Sequence, residues 1–198
     1  MTHRKEHRVD QAERLPPLAR EAMTDVQRAA ADELTAGPRK GVKGPFIALM
    51  RSPELMARLQ KVGEYLRFNS AVSLRLSEFA TLIVARAWTQ QFEWFTHVPL
   101  ALKAGTSQQT IDALREGRRP AAMSDQESVV YDFSTELLNH RGVSDATYRT
   151  AFDCLGEQGV IDLVSILGYF TLISMVLNVA HTPEEAGSTI DRLPALPR

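Results

Sequence analysis

The chain has 198 residues, 44% of them hydrophobic, with 23 Lys and Arg against 24 Asp and Glu for a formal net charge of −1. That composition can bury a sizeable core and excludes wholesale disorder, and the charge balance removes the electrostatic case for nucleic acid as a partner. Cys154 is the only cysteine, which excludes an intrachain disulfide and any two-cysteine redox cycle within one chain. From the N-terminus, residues 1–16 are polar and arginine-rich and lead into Pro16-Pro17, the pattern of a mobile arm. The opening MTHRKEHRVD is basic without an apolar stretch, so it is not a secretory signal, and a reducing cytoplasm is the default location.

Residues 18–35 read as a helix with Ala19, Ala22, Met23, Val26, Ala30 and Leu34 on one side. Gly37 to Pro45 is a Gly/Pro loop carrying Arg39, Lys40 and Lys43, and Phe46 to Met50 suits one helical turn. Ser52-Pro53-Glu54 opens a helix that runs to about Phe68, with Ser as cap and Pro at the first helical position. Ser73 opens the next, which holds Glu78 and reaches Trp88. After the polar break Thr89-Gln90-Gln91 a further helix runs to Ala104 and stops at Gly105.

Ser107 caps a short helix through Arg115. Ser124-Asp125-Gln126-Glu127 is a capping box opening a helix to Asn139, and Ser144 opens another that ends near Gly156. A long last helix spans about 157–180 and stops before Pro183. Its stretch LVSILGYFTLISMVLNV, residues 163–179, carries no charge and approaches spanning length. Ser165, Thr171, Ser174 and Asn178 within it, and the lack of flanking Lys/Arg clusters, favour a central helix buried on nearly all sides over a membrane span. An all-round apolar helix in a small domain also predicts burial against a second subunit. No strand alternation and no repeat is present. The expectation is an all-α domain of roughly eight helices over residues 17–183, followed by a polar tail at 184–198.

Chemistry concentrates in one stretch. Glu93 and His97 are four apart and share a helix face, Glu78 lies on the preceding helix, and Phe79, Leu82, Ile83, Trp88, Phe92, Trp94 and Phe95 surround them in sequence. Titratable groups in an apolar setting need partners or shift their pKa values, which suits proton transfer. A helical hairpin turning at Thr89–Gln91 brings His97 back beside Glu78. Two plainer uses compete: an i, i+4 pair that only stabilises its helix, and a metal site, against which the shortage of ligands weighs because a single histidine is nearby. No metal and no cofactor is therefore assigned. Arg86, two turns beyond Glu78, is a candidate for holding a substrate carboxylate, with Trp94 and Gln90 as further substrate-binding candidates. The cationic loop at Arg39, Lys40 and Lys43 is either a solvated loop or a clamp over an anion, with Gly41 and Gly44 permitting close backbone approach. Gly-x-Ser-x-Gly is absent, which removes the usual serine hydrolase signal.

Glu78, then Phe92-Glu93-Trp94, His97 and Ala101-Leu102-Lys103-Ala104-Gly105, followed by Gly156 to Leu163 and Gly168-Tyr169-Phe170, resemble the carboxymuconolactone decarboxylase-like family, whose superfamily includes alkyl hydroperoxidase D. The resemblance spans about residues 35–183. It implies an alkyl hydroperoxidase D-like helical bundle, a site on a helical hairpin, and homo-oligomers of dimer size or larger. Hydroperoxidase members carry a Cys-x-x-Cys pair whose places fall on Gln90 and Glu93 here, so thiol peroxidase chemistry does not carry over. Glu78 and His97, the proton-relay part, do. The resemblance implies a small organic acid or lactone as substrate and decarboxylation as the favoured reaction; on the reading of the residues themselves His97 is the acid/base, one of Glu78 and Glu93 orients it, and the other is a second base or orienter. A peroxide or stress-related role without the thiol pair and a non-catalytic ligand-binding oligomer are the alternatives.

Overall fold

The computed structural model describes residues 12–37, 40–184 and 189–195. Among these, eight α-helices follow a 3-10 turn at Arg20–Ala22, and no strand occurs. They are α1 (Asp25–Ala36), α2 (Pro45–Leu49), α3 (Pro53–Phe68), α4 (Leu74–Ala87), α5 (Gln91–Ala104), α6 (Gln108–Arg115), α7 (Asp125–His140) and α8 (Asp145–Ala180). The all-helical expectation holds, and the short loops begin and end where the caps were read. Ser107, Ser124 and Ser144 each accept a hydrogen bond from the backbone three residues on, and Gly105 closes α5 in the left-handed conformation at φ 104°.

Two expectations are corrected. The helix read over 18–35 is broken at Met23, because Thr24 and Gln27 form a reciprocal capping box that starts α1 afresh. The rotated helix buries Ala31 and Leu34 and leaves Val26 62% exposed. The second correction concerns the centre of the bundle. α4, not the last helix, is enclosed on all sides: every residue from Leu76 to Arg86 is buried, against α5, α7 and α8 with α3 and α6 at its ends. α8 is long and apolar enough to cross a membrane by length and composition. It breaks direction at Gly156 (φ 72°, ψ 174°), buries one face on α4, and leaves Ile161, Val164, Met175 and Val179 exposed on the other.

Both ends of the described chain are tied to this bundle. The Arg14 backbone N–H donates to the Ala180 carbonyl at 2.8 Å, and Arg51 donates to the Pro16 carbonyl at 2.5 Å. Residues 1–11 of the predicted arm, Arg39, residues 185–188 and residues 196–198 lie outside the described residues. Within the polar tail, Leu193 is 4% exposed and exchanges two hydrogen bonds with the Gln91 side chain, at 2.8 and 3.0 Å.

The loop before α2 is shaped by backbone that few residues tolerate. Lys40, Gly41 and Gly44 all have positive φ, and Gly44 (φ 54°, ψ −128°) sits where a Cβ would lie 2.6 Å from the Phe92 ring. Only glycine combines that conformation with that approach. Gly44→Ala should cost about 2 kcal/mol, from strain and displacement of the ring, and so lower the thermal midpoint by several degrees. Gly142→Ala, whose Cβ meets nothing within 4 Å, should change stability by less than about 0.5 kcal/mol. Parallel thermal melts of the two variants check the contrast.

Candidate active site

Glu78 projects from the second turn of α4, and Glu93 and His97 from the first two turns of α5. The turn that joins these helices is short and strained. Thr89 is left-handed at φ 47°, an unfavourable state for a β-branched residue, and its hydroxyl accepts a hydrogen bond from Arg86 at 3.1 Å. Gln90 caps α5: its side-chain oxygen accepts from Phe92 N at 2.6 Å and Glu93 N at 3.3 Å, and its amide donates to Asn178 of α8 at 3.0 Å. The resulting hairpin sets His97 against Glu78.

The geometry of the cluster is asymmetric. His97 Nδ1 donates to Glu78 Oε2 at 2.6 Å, a short charge-assisted bond. Nε2 faces Glu93 Oε2 at 3.3 Å, within ion-pair distance, yet that oxygen accepts no hydrogen bond. All three residues are at most 4% exposed. The Phe170 ring of α8 meets the imidazole edge-to-face at 5.1 Å. Burial by itself would lower the His97 pKa. The hydrogen bond to Glu78, the close carboxylate of Glu93 and the charge of both outweigh it and push the imidazole up to about 9. His97 is therefore an imidazolium at neutral pH, while the first turn of α5 places Glu93 at the positive end of a helix dipole.

A cavity of about 320 Å³ opens onto this cluster. Glu93 and His97 form part of its lining, whereas Glu78 lies behind His97 and does not. Its walls are the aromatic and aliphatic side chains of Phe46, Phe92, Tyr169, Phe170 and Ile173, and Gly41, Lys43, Pro45, Arg67, Phe68 and Thr96 complete it. Lys43 and Gly41 belong to the loop read as a clamp or a solvated loop. Arg67, Phe68 and Phe46 were not singled out in the sequence: Arg67 and Phe68 end α3 in an ordinary amphipathic pattern, and only the fold brings that end to α5.

Three sequence-predicted binding residues are displaced from this cavity. Eight residues carry Arg86 about 12 Å along α4 from Glu78. There its guanidinium donates to the carbonyls of Arg115 (3.1 Å) and Pro194 (2.7 Å) as well as to Thr89. Trp94 is turned about 100° from Glu93 around α5. It is fully buried and donates its indole N–H to the Asp191 carbonyl at 3.0 Å. Gln90 is consumed by capping. All three hold the hairpin and the tail in place. Among the described residues, no group of three or more His, Cys, Asp or Glu side chains is arranged to hold a metal ion.

Residues 53–136 match the family model of the carboxymuconolactone decarboxylase family. Among solved structures, the fold is similar to that of an uncharacterised peroxidase-related protein from Silicibacter sp. TM1040, with a TM-score of 0.71 and 13% identity over 93% of this chain and 97% of that one. It is equally similar to an alkylhydroperoxidase AhpD core, an uncharacterised peroxidase-related protein from Ralstonia eutropha JMP134, with a TM-score of 0.71 and 14% identity over 87% of this chain and 92% of that one. At these identities the likeness is one of fold. No curated protein matches the sequence.

The raised pKa of His97 links the cluster to stability. A folded-state value of about 9 against an ordinary 6.5 gives a stabilisation that is complete below pH 6.5 and lost as pH rises through 9. Its size is on the order of 3 kcal/mol. Urea unfolding at pH 6.5 and at pH 9.5 should show this loss in the wild type, and the loss should vanish in His97→Gln.

Proposed function

We propose that this chain, which belongs to the carboxymuconolactone decarboxylase-like superfamily and lacks the Cys-x-x-Cys pair, is an enzyme of acid/base chemistry on a small organic acid or lactone. The observation that carries the reading is the buried His97 imidazolium, fixed on one nitrogen by Glu78 and facing Glu93 on the other, at the floor of a cavity. Nδ1 is engaged by Glu78, so the proton on Nε2, which is shared with the cavity-lining Glu93, is the one offered to a substrate. His97 is the general acid through Nε2–H. Glu78 holds the ring orientation and the charge, and Glu93, which touches the cavity, is the base.

Decarboxylation is the favoured reaction. Loss of carbon dioxide from the substrate leaves the bond electrons as a carbanion or enolate, and His97 supplies the proton that quenches it. Proton return from bulk water through Glu93 resets the pair. Isomerisation and opening of an activated ring use the same two groups in the same places. His97→Gln and Glu93→Gln should each lower kcat at least about 100-fold, and Glu78→Gln should lower kcat and shift its pH profile to lower pH. Helicity by circular dichroism should be retained. A screen of lactones and carboxylated lactones supplies the assay, and variants that unfold while every screened substrate stays silent on the wild type would mark the cluster as structural.

Thiol peroxidase activity is not part of this reading. Gln90 and Glu93 stand where the thiols would be, and Cys154, part-buried on α8, is not in the cavity lining. Reductant-coupled turnover of an organic peroxide should be no higher in the wild type than in Cys154→Ser, and a clear excess in the wild type would restore the peroxide reading.

The same reading places the protein in the cytoplasm as a homo-oligomer. Ile161, Val164, Met175 and Val179 form an exposed apolar line along α8, spaced to share one face, and a second copy is the occupant proposed for it. Sedimentation at micromolar concentration should give a dimer or larger, and Val164→Asp combined with Met175→Glu should shift it toward the monomer. A wild-type monomer sinks the proposal.

A further inference from the structure

The outward face of α8 carries a glycine that nothing in its own chain explains. Gly168 lies inside a regular stretch of the helix, is exposed, and would carry a Cβ that meets nothing within 4 Å. Glycine in a helix interior costs stability relative to alanine, and here neither a close approach within the chain nor a positive φ requires it. It sits at the middle of the apolar line, with Ile161 and Val164 on one side and Met175 and Val179 on the other, all 39–62% exposed. The two ends of that line carry opposite charge. Glu157, exposed, stands one turn before Ile161. Arg14, also exposed, lies at the other end, where its guanidinium donates to the Val179 carbonyl at 3.2 Å. Neither has an opposite charge within ion-pair distance among the described residues.

We infer that two copies of this chain pair through α8 in antiparallel register about a two-fold axis next to Gly168, with Ile161 and Val164 of one copy against Met175 and Val179 of the other, and Glu157 of each beside Arg14 of the other. The inference rests on the homo-oligomer reading above and gives it a face, a direction and a register. A glycine at the crossing lets two helix axes approach closely, which is the reason for it that the single chain lacks. The face is self-complementary, as a two-fold contact requires: its apolar halves match in length on either side of Gly168, and its acidic end meets a basic one. A parallel pairing would set Glu157 against Glu157 and Arg14 against Arg14, and would align two helix dipoles. Lipid, the other occupant that an apolar helix of this length suggests, gives the glycine no backbone to approach. The axis also bears on the cavity. Tyr169, Phe170 and Ile173, the α8 share of its wall, come from the turn and a half after Gly168, so the axis runs beside both cavities of the pair.

Sedimentation equilibrium of the full chain over a concentration series tests this. Gly168→Leu, at an exposed position with open space around it, should raise the dimer dissociation constant at least about tenfold while circular dichroism shows helicity retained. Glu157→Arg and Arg14→Glu should each raise it about fivefold, and the double variant should return to within about twofold of the wild type, because the reversed charges meet again only across an antiparallel pair. An assembly that ignores Gly168→Leu, or a double variant no tighter than the single ones, overturns the antiparallel register and leaves the homo-oligomer reading standing. A wild-type monomer overturns both, and a monomer that floats with phosphatidylcholine vesicles makes lipid the occupant of the face.

Discussion

His97 is held between two carboxylates in a place largely closed to water, and the rest of the structure is arranged so that it stays there. Taking an imidazolium and two carboxylates out of water costs several kcal/mol per ion after relaxation. The 2.6 Å bond to Glu78 and the 3.3 Å approach of Glu93 offset that cost only if the α4–α5 register is fixed. Removing one carboxylate would leave charge buried with less to balance it. The surroundings hold that register: α4 is buried from Leu76 to Arg86, the α5 cap is tied to α8 through Gln90 and Asn178, and Phe170 closes on the ring.

The register depends on a turn that is itself unfavourable. Thr89 in a left-handed conformation costs on the order of 1 kcal/mol or more, and Arg86 offsets it by binding the Thr89 hydroxyl while holding the carbonyls of Arg115 and Pro194. Arg86 is almost fully buried, and burial pulls its pKa below the usual arginine value. Its three oxygen partners, one of them at the negative end of α6, take the place of a carboxylate. Trp94 and Gln91 add the tail to the same assembly. The last described residues thus belong to the mechanics of the hairpin.

What was legible in the sequence follows from which signals are local. Helix starts at Ser52-Pro53, Ser107, Ser124 and Ser144, the stop at Gly105, and the meeting of Glu78 with His97 all depend on neighbours within a few turns, and they are readable from spacing. Thr24-Asp25-Val26-Gln27 was equally local and went unread as a cap, which misplaced the face of α1. Arg86, Trp94 and Gln90 misled for a different reason. Polar or amphipathic residues near a candidate site look like ligand contacts, but their partners are Pro194, Asp191 and Asn178, about 90 residues or more away. Hydropathy could mark α8 as the most apolar helix, yet enclosure depends on neighbours, and the topology gives those to α4.

The cavity is lined by a carboxylate and an imidazole and by no thiol, and this sets the variable to which it responds. A dithiol site is set by the electron balance of its compartment: it can be oxidised, locked as a disulfide, or damaged past recovery. The Glu78–His97–Glu93 cluster contains no sulfur and has no second covalent state to be trapped in. It answers instead to hydrogen-ion activity, through one imidazole whose charge is kept well into the alkaline range. A pocket of this composition offers an oxidant no thiol to attack and meets its own limit in alkali.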